Sequence, residues 1–340
     1  MTNINNWTEL MASLSNKTNG MFPKLLLRIN QAIRSYQKSD ENFDPNLVKK
    51  NHQEIFNNFK LVHDQLLIEN DITDIFVEIP SIVSKNSIVF NMIGIGKWIK
   101  FHGGNGSRIF FFDDEKTMIS DKALADFLNK IEIVTKDYKY FGAEPIVYYK
   151  FRTKPPDDVI EYIKKFNVVP LEFDQKTVTV DYPKNISEKV LLDQTIMLTL
   201  CSHLSYGFSE SFYQNFSKNE NKEMMVKNRE DLEKYLEKKT ILVNQYVYQQ
   251  VEYKINFMGG PTEKQRFEEL CKRITIVPDD KNPRFYYLKD IEILSVSVGE
   301  REQAIIVTSN QRLANKIDMH YQEIPYKLFY GVQLSESKYQ

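Results

Sequence analysis

Cysteine is nearly absent from this chain of 340 residues: only Cys201 and Cys271 occur, far apart and each inside an amphipathic helical pattern. That spacing supplies no disulfide framework, and it fits free core thiols in a reducing compartment. No Cys-x-x-Cys or His-x-x-x-His pair is present, so the roughly four grouped ligands of a structural zinc site are missing. Net charge is missing too, since 45 basic and 46 acidic side chains leave −1. No global field therefore draws in nucleic acid or an anionic membrane, and any such contact must use a local patch. No run approaches the ~18 apolar residues of a membrane span, and the amino terminus lacks a basic stretch followed by an apolar core. Cytosol or nucleus is the expected compartment.

Gly94-Ile95-Gly96-Lys97 has the look of a phosphate loop, but neither Gly-x-x-x-x-Gly-Lys-Ser/Thr nor Gly-x-Gly-x-x-Gly is completed and no helix follows. It reads as the turn between strands Ile88 to Ile93 and Lys97 to Phe101. Lys97, Trp98, Lys100, His102 and Arg108 interleave basic and aromatic groups around this hairpin. That is the composition of a nucleic-acid surface, although a solvated strand face accounts for it more simply. No Gly-x-Ser-x-Gly elbow occurs. His52 and His63 return to nearly the same helical face and read as solvated residues rather than as a metal pair.

What is present is helical periodicity first and strands later. Residues from Trp7 to Gln37 have helical spacing, and a second helix is predicted from an N-cap at Asp44-Pro45 through Leu67. A strand covers Ile75 to Ile79, and a helix covers Lys122 to Ile131. Pro145 to Tyr149, the helix opened by Pro155-Pro156 and Val168 to Leu171 make a β-α-β unit, and Gln175 to Val180 offers a further strand. The polar stretch from Asp181 to Lys189 marks a boundary, giving an α+β region over 1–183, helical to about residue 70, and an α/β domain over 184–340. Within the second domain, Phe208 to Asn228 reads as a flexible loop ahead of a helix over Arg229 to Lys239.

Two stretches organise that C-terminal domain. Val190-Leu191-Leu192-Asp193-Gln194-Thr195 and Ala304-Ile305-Ile306-Val307-Thr308-Ser309-Asn310 are short apolar runs that end in polar residues and lead into helical spacing. Buried parallel strands have this pattern, and in such sheets the chemistry gathers at the carboxyl ends. Asp193 and the Thr308, Ser309, Asn310 trio would meet there if the two strands are neighbours. Asp193 and Asn310 also have a structural reading as helix N-caps, and Glu300 reads as an exposed turn residue.

Those two stretches, with Gly259-Gly260-Pro261 and Ile276-Val277-Pro278-Asp279, resemble an uncharacterised eukaryotic protein family, family 0415, defined by domain of unknown function 1308. Its C-terminal half looks like a PIN domain. The looser matches at Lys97 to Lys100 and Pro145 to Phe151 extend the resemblance over most of the chain. PIN-type nucleases, as the resemblance implies, gather three or four carboxylates at the carboxyl edge of a parallel sheet around Mg²⁺ or Mn²⁺. Such ions need oxygen ligands, activate water and neutralise charge on a scissile phosphate. Asp193 matches the first acid and Glu300 can serve as the third, so both are the implied metal ligands. Asn244 and Gln245 stand where the second acid belongs, and Asn310 where the fourth belongs. Thr308 and Asn310 would orient the phosphate, while Lys97, Lys100 and Ser309 would contact substrate. Two acids in four places predict a PIN-like protein with little or no catalysis that acts by binding RNA or a protein. The alternatives are a Mg²⁺- or Mn²⁺-dependent ribonuclease and a protein-interaction scaffold without nucleic acid.

Overall fold

A computed structural model describes residues 4–17, 20–80, 87–112, 118–180, 188–207 and 222–336. The chain divides into two compact units, Met1–Asp181 and Tyr182–Gln340. The architecture is mixed α/β, helical first and then strand-containing, with an all-parallel sheet in the C-terminal half. No helix among the described residues is long and apolar enough to cross a membrane.

The first unit opens with helices α1 (Trp7–Ser15), α2 (Phe22–Ser39) and α3 (Gln53–Leu66). Asn6 caps α1 by accepting the Glu9 N–H at 2.9 Å, and Pro23 stands in the first turn of α2. The predicted N-cap at Asp44-Pro45 opens no helix, and α3 starts at Gln53 after a 3₁₀ turn. The local reason is that the Pro45 carbonyl accepts the N–H groups of Trp7 and Thr8, while Asp44 closes a turn onto Asn46. Strands β1 (Ile72–Pro80), β2 (Ser87–Gly94) and β3 (Lys97–Phe101) pair antiparallel. Phe111–Phe112 and Met118–Ile119 form the short strands β4 and β5. Helix α4 (Lys122–Asp137) then crosses over to β6 (Ile146–Phe151), and α5 (Asp157–Lys164) crosses to β7 (Val168–Glu172). Strands β6 and β7 run parallel to β3, which is why each needs a helical crossover.

That sheet has order β1-β2-β3-β6-β7 and is covered on both faces. Trp7, Leu25, Ile29, Phe56 and Val62 pack with Ile75, Ile99 and Tyr148 on one side. Leu124, Leu128, Val159 and Ile163 pack with Phe90, Trp98, Val147 and Phe151 on the other. No strand forms over Gln175 to Val180. Instead, Thr177 donates into a buried ion cluster. Lys150 Nζ binds Glu69 Oε1 at 2.6 Å and Gln65 Oε1 at 2.7 Å, and Lys97 Nζ lies 3.0 Å from Thr177 Oγ1 and 3.7 Å from Glu69 Oε2.

In the second unit the strands are β8 (Lys189–Leu192), β9 (Thr240–Asn244), β10 (Ile274–Val277), β11 (Ile305–Thr308) and β12 (Tyr326–Leu328). The helices are α6 (Gln194–Cys201), α7 (Lys222–Leu236), α8 (Gln245–Met258), α9 (Pro261–Cys271), α10 (Asp290–Arg301) and α11 (Gln311–His320). Helix α7 starts earlier than the composition suggests, taking in residues 222–228. The rest of the expected loop, 208–221, lies outside the described residues, as does most of the expected boundary segment, 181–187. All pairings are parallel, in the order β10-β9-β8-β11-β12. Val190, Leu192, Ile241 and Val243 face α6, α8 and α9, whereas Leu191 and Leu242 face Val298 of α10. Burial on both faces explains the unbroken apolar runs. The chain leaves β8 towards β9 and β10, then returns to β11 and β12 on the other side. The order therefore reverses between β8 and β11, where open α/β sheets form their crevice.

Candidate functional site at the carboxyl edge of the parallel sheet

Asp193 and Thr308 terminate β8 and β11, on either side of that reversal. Ile306 pairs with Leu191, Val307 pairs with Leu192, and Asp193 N–H donates to the Val307 carbonyl at 3.0 Å. Asp193 is the N-cap of α6: its Oδ1 accepts the Ile196 N–H at 2.9 Å and the Thr195 hydroxyl at 2.6 Å. The other oxygen, Oδ2, accepts the hydroxyl of Thr308, a fully buried side chain. Thr308 Oγ1 in turn accepts the Asn310 N–H at 3.0 Å, and Thr195 Oγ1 accepts the Ser309 N–H at 3.4 Å. Asn310 caps α11 through the Leu313 N–H at 3.1 Å. The structure thus brings together Asp193, Thr308, Ser309 and Asn310, and it gives Asp193 and Asn310 their capping roles as well.

Burial pushes the Asp193 carboxyl above its ordinary value, and the hydrogen bonds from Thr195, Thr308 and the Ile196 backbone only partly offset this. Among the described residues no basic side chain forms an ion pair with it. Hydrogen bonds thus reach the carboxylate from the Thr195 and Thr308 hydroxyls and from the Ile196 and Thr195 backbone N–H groups.

Four further residues contribute, of which the sequence reading notes Asn244 only as a missing acid, quotes Thr195 and Asp279 without a role, and does not reach Gly331. Asn244 ends β9 next door and caps α8, accepting the Val247 N–H at 3.0 Å, while its buried Nδ2 finds no partner among the described residues. Thr195 orders the Asp193 carboxylate. Asp279, just after β10, accepts the Tyr246 N–H in the first turn of α8 at 3.0 Å. Gly331 closes the Ser309 side, because a Cβ there would stand 2.3 Å from Ser309 Oγ. Asn244, Asp279 and Gly331 leave a sequence signal, each standing shortly after a strand-like run. Helices α6, α8 and α11 all start at this edge, each with a side-chain cap, and their N-terminal peptide dipoles concentrate positive potential there.

Glu300 is not the exposed turn residue of the sequence reading. It lies within α10 and is 2% exposed. Arg284 binds its Oε1 through Nη2 at 2.5 Å and Nε at 3.1 Å, and Asn282 Nδ2 binds Oε2 at 3.1 Å. Its charge is spent on Arg284. Glu252, a further acid on α8, accepts the Tyr248 hydroxyl at 3.1 Å. Among the described residues no three His, Cys, Asp or Glu side chains are grouped to share an ion. An ion held jointly by Asp193 and Glu300 does not fit this arrangement.

The proposed substrate-binding lysines belong to the first unit. Lys97 is 1% exposed and tied into the Glu69 cluster, so it offers no surface charge, and Trp98 and His102 beside it are also buried. The solvated strand face read from this stretch is therefore an interior at Lys97, Trp98 and His102, while Lys100 is half-buried and Arg108 exposed. Lys100 lines a cavity of about 510 Å³ together with Asn91, His102, Asp121 and Tyr149, and its Nζ donates to the Val89 carbonyl at 2.7 Å. Burial lowers the Lys100 pKa. His52 and His63 are buried rather than solvated.

A family model, "Protein of unknown function (DUF1308)", matches residues 190–340. The chain is also 48% identical over all 340 residues to "Uncharacterized protein R220" of Acanthamoeba polyphaga mimivirus, with both chains covered in full. The chain belongs to the DUF1308 family. The family match begins at Val190 and so includes Asp193, Asn244, Thr308 and Gly331. Similarity to the viral protein runs through both units.

Proposed function

We propose that the C-terminal unit is a PIN-like module that binds single-stranded RNA through a backbone phosphate and cleaves it slowly or not at all. The observation carrying this reading is the buried, unpartnered Asn244 Nδ2 at a sheet edge where three capped helices begin. Helix N-termini with spare donors suit a phosphate oxygen. The Thr195 and Ser309 hydroxyls add further polar groups, and a neutral Asp193 would leave the phosphate unopposed. Ionised Asp193 would repel the same phosphate. Binding therefore strengthens as pH falls towards the raised Asp193 pKa, and Asp193→Asn binds more tightly than wild type. With few cations involved, affinity falls gently with salt, by a log–log slope of about −0.7 per neutralised phosphate.

The ribonuclease reading is favoured by one observation: Asp193 is a desolvated carboxylate without a cationic partner among the described residues, a lack that Mg²⁺ or Mn²⁺ would make good. The protein-scaffold reading predicts no RNA affinity at all. Fluorescence anisotropy with labelled single-stranded RNA in chelator, for wild type and Asp193→Asn, tests the proposal. Weaker binding by the variant, or none by either protein, contradicts it.

A further inference from the structure

In the helical layer of the first unit, three side chains from α1 and α3 form a relay. Ser13 Oγ lies 2.9 Å from His63 Nε2, and His63 Nδ1 lies 3.0 Å from Asp64 Oδ1. Asp64 Oδ2 pairs with Lys60 Nζ at 3.0 Å. An acceptor at Nδ1 places the imidazole proton there and leaves Nε2 as the lone-pair side. Ser13 is then the donor, with its hydroxyl aimed at a base. Exposure follows the same order, for His63 is fully buried and Asp64 nearly so, whereas Ser13 reaches solvent. The Phe22 ring packs edge-on to the imidazole, and the Lys17 ammonium sits 4.7 Å from that ring's centroid, bringing positive charge to the neighbourhood.

We propose that Ser13 is a reactive nucleophile, with His63 as its base and Asp64 as positioning residue, and that it takes up the acyl group of an activated ester. Ser13 Oγ attacks the carbonyl carbon, and its proton passes to His63 Nε2. The Oγ–C bond forms as the ester C–O bond breaks, and the alkoxide leaves with the bonding pair and accepts the proton from Nε2. A nucleophile oriented by an adjacent base, itself oriented by a carboxylate, is the general arrangement for such a step. The acylserine is the product of this step, and its formation is what the test reads.

The test uses the full-length protein and a fluorophosphonate probe, which phosphonylates such a serine with loss of fluoride, read by peptide mass spectrometry. Stoichiometric labelling at Ser13 is expected, with at least a tenfold slower rate in His63→Gln. A burst of about one nitrophenolate per chain from 4-nitrophenyl acetate should accompany it and vanish in Ser13→Ala. If His63→Gln fails to fold, Ser13→Cys decides: its thiol should be alkylated by iodoacetamide at pH 6.5 at least tenfold faster than Cys271 in the same sample. Labelling at Ser13 that is unchanged in folded His63→Gln overturns the proposal. So does absent labelling together with Ser13→Cys alkylation no faster than Cys271.

Discussion

Asp193 accepts several hydrogen bonds and has no countercharge among the described residues, and the two facts pull its stability contribution in opposite directions. Its capping role needs an oxygen acceptor, which asparagine also supplies, whereas its charge costs desolvation. Because the folded pKa lies above the unfolded value, ionisation weakens the fold, and that cost sets in as pH rises through the ordinary carboxylate range to the raised value. Asp193→Asn should therefore unfold at neutral pH at a denaturant concentration equal to or above that of wild type. Asp193→Ala loses the cap and should be less stable by about 1–2 kcal/mol. Arg284→Ala behaves differently, because it strands Glu300 in the interior. A loss of about 3–5 kcal/mol is expected by chemical denaturation. Arg284→Ala together with Glu300→Leu should recover part of it, which a double-mutant cycle measures.

At the scale of elements, the C-terminal segment from Gly331 to Glu336 is held as a strap. Val332 N–H donates to Thr199 Oγ1 at 2.8 Å, Leu334 is buried, and Ser335 N–H donates to Glu263 Oε1 at 2.8 Å. Glu336 then caps α9 from a distance, accepting the N–H groups of Thr262 at 2.8 Å and Glu263 at 3.0 Å. Gly260 has to lack a side chain here, since a Cβ would lie 2.4 Å from Glu336. Glu336→Ala should cost about 1 kcal/mol, and Gly260→Ala a comparable amount by pushing the strap away. Combined, they should cost less than the sum, because both remove the same contact. The strand ends of this sheet are legible in the sequence: with both faces covered, Val190 to Leu192 and Ile305 to Val307 run apolar until the chain reaches the polar Asp193 and Thr308. The strap is not, because its partners lie on α6 and α9 and its own residues carry no periodicity. The same limit hides the pairing of Lys97 with Glu69 and of Glu300 with Arg284. A charged residue that finds its partner only through tertiary folding has the local context of a surface residue. The capping of Asp193 and Asn310 is legible because it needs only the next three residues.

On the scale of the whole molecule, two units carry separate sheets and cores, so a lesion in one should be read there. Burial opposes ionisation of Glu69, but hydrogen bonds from Lys150 and Thr177 outweigh it and hold its carboxyl below the ordinary value. Its stabilising effect is complete above that ordinary value and disappears as pH falls through the lowered one. The burial that lowers the Lys97 and Lys150 pKa values sharpens the effect, since both ammonium groups lose their anion in acid. Glu69→Gln should accordingly speed hydrogen exchange across residues 20–180 at neutral pH while leaving 222–336 unchanged, and it should flatten the acid limb of the first unit's unfolding. Equal effects in both units would contradict a division at Asp181. The two proposals divide in the same way, the RNA-binding edge belonging to the second unit and the reactive serine to the first. The most direct measurement is RNA affinity and cleavage for wild type and Asp193→Asn, in chelator and in Mn²⁺. Tighter binding by the variant in chelator, with no Asp193-dependent cleavage in Mn²⁺, is the predicted result. Cleavage by wild type that the variant abolishes would contradict it and make the sheet edge a metal-dependent nuclease site.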